Sequence, residues 1–140
     1  MAQNRPLAIR LAAQVALAAP NISMEPVPGD SVSDEVAFTG CYETGLTRRV
    51  IELARRGGTM IDVGANLGYS SLLRLSTNSS NRCIAFEAAP RNVEILRHNI
   101  SRNGLDERAP TLQTQSNPSI SGTKHLVTRA NNVHRLLSNH

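Results

Sequence analysis

Apolar positions along the chain switch between a helical and a strand-like period. Leu7, Leu11, Val15 and Ala18 share one stripe of an Ala-rich segment between Arg5 and Pro20, which predicts an N-terminal helix. From Pro20 to Ser33 the residues are mostly Pro, Gly, Ser and Asp, the composition of a linker. A second helical stripe, Leu46, Val50, Leu53 and Ala54, runs through residues 43–56 and stops at Gly57-Gly58, which suits a left-handed helix end. Thr59 to Val63 is a short apolar run that fits a buried strand. Gly64-Ala-Asn-Leu-Gly68 makes a turn, and Leu72, Leu73 and Leu75 carry the next helix. Asn81 to Glu87 reads as a second buried strand. Pro90 opens a helix through Val93, Leu96, Arg97 and Ile100 that ends at Asn103-Gly104, and Thr111 to Gln115 alternates weakly as a third strand.

Strand, helix, strand, helix, strand in this order is the rhythm of an α/β fold, a parallel sheet of about three strands with crossover helices. Right-handed crossovers bring the loops after Val63 and Glu87 to the same edge of the sheet. That carboxyl edge is where open α/β sheets bind ligands.

Composition narrows the classes. With 140 residues, 40% hydrophobic and 19% charged, the chain is long enough for one globular core. No apolar run approaches the ~18–20 residues of a membrane span. Aromatic residues are 3% with no Trp, which argues against a base-stacking nucleic-acid surface. The net charge of +4 is local: all 11 acids lie at or before Glu107, and Arg108, Lys124, Arg129 and Arg135 stand without any. A diffuse basic end marks a change in the chain rather than a polyanionic partner. The 2 cysteines cannot make a disulfide framework and point to a reducing compartment, the cytoplasm. Arg5 and Arg10 before the Ala-rich run also sketch a secretory signal, with Arg10 and Gln14 interrupting its apolar core.

Candidate chemistry gathers at the Gly64–Gly68 turn. Glycines there let the backbone bend sharply and approach a ligand at a helix N-terminus. Asp62 lies one residue from the end of the first strand. Glu87 ends the second, near the ~20-residue distance at which a carboxylate accepts ribose hydroxyls. A dinucleotide calls for Gly-x-Gly-x-x-Gly, yet Asn66 holds the middle glycine position, and Asp62 would repel a diphosphate. S-adenosylmethionine carries an ammonium and a sulfonium and no phosphate, so charge favours it over a nicotinamide cofactor.

Four strings extend this reading: Glu43-Thr-Gly-Leu-Thr47, Met60-Ile-Asp-Val-Gly-Ala-Asn-Leu-Gly-Tyr-Ser70, Ala85-Phe-Glu-Ala-Ala-Pro90 and Asn99-Ile-Ser-Arg-Asn-Gly104. Together they resemble the FkbM-type S-adenosylmethionine-dependent methyltransferases over roughly residues 34–107. The resemblance implies a Rossmann-like class I methyltransferase fold and O-methyl transfer to a small hydroxylated substrate. It also implies that Asp62, Gly64, Ala65, Asn66 and Gly68 line the methionine and adenosine side of the pocket, and that Glu87 binds the ribose. Family members commonly carry Glu-Pro-x-Pro after the second strand, where this chain has Ala88 in place of the first Pro.

Nothing after about Arg108 follows the family pattern, which continues through further strands including one with an Asp-x-Glu-Gly-like signature. The expected organisation is therefore a helix and linker over 1–33, a partial cofactor-binding domain over 34–110, and an unmatched tail over 111–140, disordered or helical across Thr123–Leu137. A truncated methyltransferase is the leading reading. A non-catalytic fragment that keeps the cofactor half-site or needs a partner chain is the second, and a nicotinamide-dependent oxidoreductase the third. Loss of later strands would leave Thr59–Val63 as an exposed apolar edge prone to self-association. No catalytic base is assignable. His98 is expected on the surface, and His125, His134 and His140 match no compact metal-ligand spacing. Cys41 reads as a loop thiol and Cys83 as a core residue, while Tyr42 and Glu43 either cover the pocket or lie on the surface.

Overall fold

The computed structural model describes residues 15–16 and 22–114. Its elements run β1 (Val15–Ala16), β2 (Ser23–Met24), α1 (Ser31–Thr39), α2 (Thr44–Ala54), β3 (Thr59–Val63), α3 (Tyr69–Thr77), β4 (Arg82–Glu87), α4 (Pro90–Arg102), a 3-10 turn (Asp106–Arg108) and β5 (Thr111–Gln113). The sheet has the order β3-β4-β5 with both pairings parallel. Strand order advances in one direction, so right-handed crossovers set α3 and α4 on the same face. The chain is an α/β protein with a three-stranded parallel sheet and crossover helices.

Two faces follow from the strand period. Met60 pairs with Cys83 and Asp62 with Ala85, and Cys83 and Ala85 join Leu72, Leu73, Leu96 and Ile100 in the main core. Ile84 and Phe86 point the other way and pack with Leu112. Fully burying each leucine contributes roughly 1.5–3 kcal/mol, so the α3 and α4 stripes anchor the helical layer.

Several expectations change. Val15–Ala16 pairs antiparallel with Ser23–Met24, so these two residues are strand where a helix was expected. That pairing takes the backbone groups a helix would use; the rest of the expected N-terminal helix lies outside the described residues. Residues read as linker include β2 and the start of α1. Asp30 caps α1 by accepting the Ser33 N–H at 2.9 Å, and Gly40 ends it at φ 81°.

Helix α2 buries Thr47, Val50 and Ala54, while Leu46 and Leu53 are exposed. A polar residue takes the inner face because it has partners: the Thr47 hydroxyl donates to the Tyr42 carbonyl and bonds the Tyr69 hydroxyl. Where a buried strand was expected, β3 is half-buried on one face, through Met60 and Asp62, with Ile61 and Val63 each 56% exposed on the other. The third strand ends at Gln113, and Thr123–Leu137, His125, His134 and His140 lie outside the described residues.

Candidate functional site

The site begins where β3 ends. Gly64 (φ 77°), Asn66 (φ 50°) and Gly68 (φ 94°) all adopt left-handed backbone, which reverses the chain within five residues. Asn is among the few side chains that tolerate this region, which explains how Asn66 stands where a glycine would be expected. The N–H groups of Gly64 and Ala65 both donate to the Phe86 carbonyl, tying the turn to β4. A side chain added at Gly64 would meet nothing within 4 Å, so this backbone faces open space. At Gly68 it would come within 2.6 Å of Leu96 Cδ1, so that glycine serves close packing of α3 on α4.

Asp62 and Glu87 belong to the same face of the sheet. Asp62 pairs with Ala85, and Glu87 is two residues beyond it, so both side chains lie on the helix-covered side. Their proximity is electrostatic as well: burial first, and the Glu87 charge in addition, push the Asp62 carboxyl above its ordinary value, while Ser71 pulls it back. The Ser71 hydroxyl donates to Asp62 Oδ2 at 2.6 Å.

Glu87, 8% exposed, is gripped by the backbone. Its Oε2 accepts the Asn66 N–H at 2.8 Å, and its Oε1 accepts the N–H groups of Ala88 and Ala89, both at 2.9 Å. A carboxylate has about four acceptor positions, so roughly one on Oε2 is left for a ligand. The missing Pro at 88 is used here: Ala88 supplies an N–H that proline lacks.

Beside the turn an acidic rim of Asp30, Glu35 and Glu43 gathers about Tyr42, of which the sequence pattern singled out only Glu43. Asp30 accepts the Asn66 side-chain amide at 3.3 Å, and Asn92 donates to Asn66 Oδ1 at 2.7 Å. Glu43, and more weakly Glu35 and Asp30, push the Tyr42 phenol up. Tyr42 is half-buried, donates its N–H to the Tyr69 hydroxyl and meets the Tyr69 ring edge-on at 6.1 Å. Asn99, fully buried, accepts the Glu25 N–H and donates to the Leu67 carbonyl, linking the chain before α1 to the glycine turn. Asp30 carried a readable signal, an acid three residues before a buried serine. Asn99 stood out only as part of the Asn99–Gly104 string, and its bond to Glu25, 74 residues away, had no local signal.

His98 is exposed and pairs with Glu25 at 2.9 Å. It also lines two surface cavities, of about 460 and 500 Å³, that contain neither Asp62 nor Glu87. Cys83 is buried in the core and Cys41 half-buried in a loop. Among the described residues no group of three metal-ligating side chains converges, and no helix is long and apolar enough to cross a membrane.

No family model and no curated protein matches the sequence. Solved structures do. A hypothetical protein of Thermus thermophilus superposes with a TM-score of 0.53 at 18% identity, over 72% of this chain and 54% of its own. A putative caffeoyl-CoA O-methyltransferase of Staphylococcus aureus gives 0.50 at 12% identity, over 61% of this chain and 44% of its own. The fold is that of Rossmann-like methyltransferases. An O-methyltransferase of Bacillus cereus, solved with S-adenosylhomocysteine, gives a TM-score of 0.47 at 21% identity, over 62% of this chain and 44% of its own. The chain spans about half the length of the structures it matches.

Proposed function

We propose that this methyltransferase-like unit binds S-adenosylmethionine at the Gly64–Gly68 turn, as part of an FkbM-type O-methyltransferase acting on a small hydroxylated substrate. The observation that carries this reading is the placement of Asp62 and Glu87 on one face, flanking that turn at the N-terminus of α3. The residues present suit the cofactor. Gly64 offers open backbone, Glu87 keeps one acceptor position on Oε2, and Asp62 Oδ1 faces no side-chain donor among the described residues. Asp62, Gly64, Ala65, Asn66 and Gly68 would hold the methionine and adenosine, with Glu87 on the ribose. One ribose hydroxyl takes the open position on Glu87; a second would displace an N–H bond. Once bound, the cofactor would supply an electrophilic methyl group on its sulfonium.

Charge supports this choice of ligand. Asp62, Glu87 and the rim formed by Asp30, Glu35 and Glu43 favour a cationic nucleoside and oppose a pyrophosphate. The two unpaired cysteines fit a reducing compartment, so we assign the chain to the cytoplasm. The second reading is a half-site that lacks turnover of its own or needs a partner chain.

Titration calorimetry with S-adenosylhomocysteine and with a nicotinamide dinucleotide tests the site. The expected result is heat from the first ligand only, and a loss of about tenfold or more in affinity in Glu87→Ala, with a melting curve confirming that the variant folds. Equal affinity in the two proteins would remove Glu87 from the site. A methyl-transfer assay against hydroxylated acceptors separates the two readings.

A further inference from the structure

Resting on the cofactor reading above, we infer that Ser71 is a positioning residue, locked by Cys83, that fixes the Asp62 carboxylate toward the ammonium end of the bound nucleoside. Three elements each supply one member of this buried chain: Asp62 from β3, Ser71 from the first turn of α3 and Cys83 from β4. Cys83 Sγ donates to Ser71 Oγ at 3.2 Å, and Ser71 Oγ lies 2.6 Å from Asp62 Oδ2. Ser71 and Cys83 have no exposed surface.

The direction of the hydrogen bonds is fixed by chemistry. Burial pushes the Cys83 thiol up to about 12, so it keeps its proton and donates to Ser71. An ionised carboxylate only accepts, so the Ser71 hydroxyl turns its own proton to Asp62. That bond, with the Ser71 backbone N–H also on the carboxylate, anchors Asp62 to the start of α3 beside the glycine turn, and Oδ1 takes no side-chain donor among the described residues. A carboxylate held this way favours a cation at the ligand edge and does nothing for the uncharged adenosine. Nothing in the relay requires Cys83 to react; its role is to orient.

Two ligands separate positioning from simple support of the fold. S-adenosylhomocysteine carries the ammonium, whereas 5′-methylthioadenosine keeps the nucleoside and lacks the amino-acid end. Affinities of both are measured by calorimetry for the whole chain, Ser71→Ala and Ser71→Thr. The expected result is a fivefold to tenfold loss, by order of magnitude, for S-adenosylhomocysteine in Ser71→Ala, about the worth of one hydrogen bond. Methylthioadenosine should change by less than about twofold, and Ser71→Thr, which keeps the hydroxyl, should recover the ratio. If Ser71→Ala does not fold, Cys83→Ala frees the hydroxyl and should shift the same ratio in the same direction. Equal losses for both ligands, or none for either, overturn the positioning role while the site stands. A native chain that binds neither ligand overturns the site reading and this inference with it.

Discussion

Gly64 and Gly68 share a left-handed backbone but differ in surroundings, and that difference is measurable. Alanine at Gly64 meets only the conformational penalty, roughly 1–2 kcal/mol, because the space beside it is open. Alanine at Gly68 adds a collision with Leu96 Cδ1, which must then shift within a fully buried site, so we expect roughly 2–4 kcal/mol there. Urea unfolding of both variants checks the order; Gly64→Ala as the weaker protein would contradict it. Asp62 yields a prediction in pH. Burial raises its carboxyl above the ordinary 3.8, so the folded state holds the proton more tightly than the unfolded chain. The associated stability is fully present below the unfolded value and is lost as pH rises through the folded value. Asp62→Asn stays neutral and keeps an oxygen for the Ser71 hydroxyl. It should therefore melt above the native protein at pH 7, with the gap closing as pH falls toward 3.8. A native protein that melts higher at pH 7 would contradict the burial account.

Elements are joined mainly by side chains that bond distant backbone. Arg74 of α3, 6% exposed, donates to the carbonyls of Gly57 and Gly58 just beyond α2 and so closes the α2–β3 turn. The expected cost of Arg74→Ala is roughly 3–4 kcal/mol, from lost packing and stranded carbonyls. Arg74→Met, which restores the stem, should recover part of it. Denaturant midpoints for the pair decide the matter, and a fully stable Met variant would show that the carbonyl bonds contribute little. The same logic separates what was legible in the sequence from what was not. Helices α3 and α4 could be read because Leu72, Leu73, Val93, Leu96 and Ile100 repeat at the helical period and are buried, and β4 because Cys83 to Phe86 form an unbroken buried apolar run. Helix α1 escaped because it buries only Ser33 and Val36, too few positions to make a period; its caps, Asp30 and Gly40, were the available signal. The inner face of α2 was misread because Thr47 is buried through hydrogen bonds, which hydropathy does not register. At the site, the glycine turn and the two strand-end acids were readable from spacing, whereas the Asp30–Asn66–Asn92 bridge depends on segments brought together only by folding.

At the scale of the whole molecule the sheet is covered unevenly. Crossover helices α3 and α4 share one face, while on the other Ile61 and Val63 stand 56% exposed on β3. Among the described residues β4 is the only strand paired with β3, so the apolar side chains sit on a strand with one unpaired edge. Such an edge offers backbone donors and acceptors together with hydrophobic surface, the combination that drives strand-to-strand association. We expect the weight-average mass in sedimentation equilibrium to rise with concentration through the micromolar range. Ile61→Lys with Val63→Lys should hold the chain monomeric, because lysine on an exposed edge opposes pairing through charge. Neither residue belongs to the main core, so the double variant should melt within a few degrees of the native chain. A native chain that stays a monodisperse monomer throughout would mean that this face is not sticky. A lysine variant that still associates would move the contact elsewhere, with Phe38, 88% exposed on α1, as the next position to change.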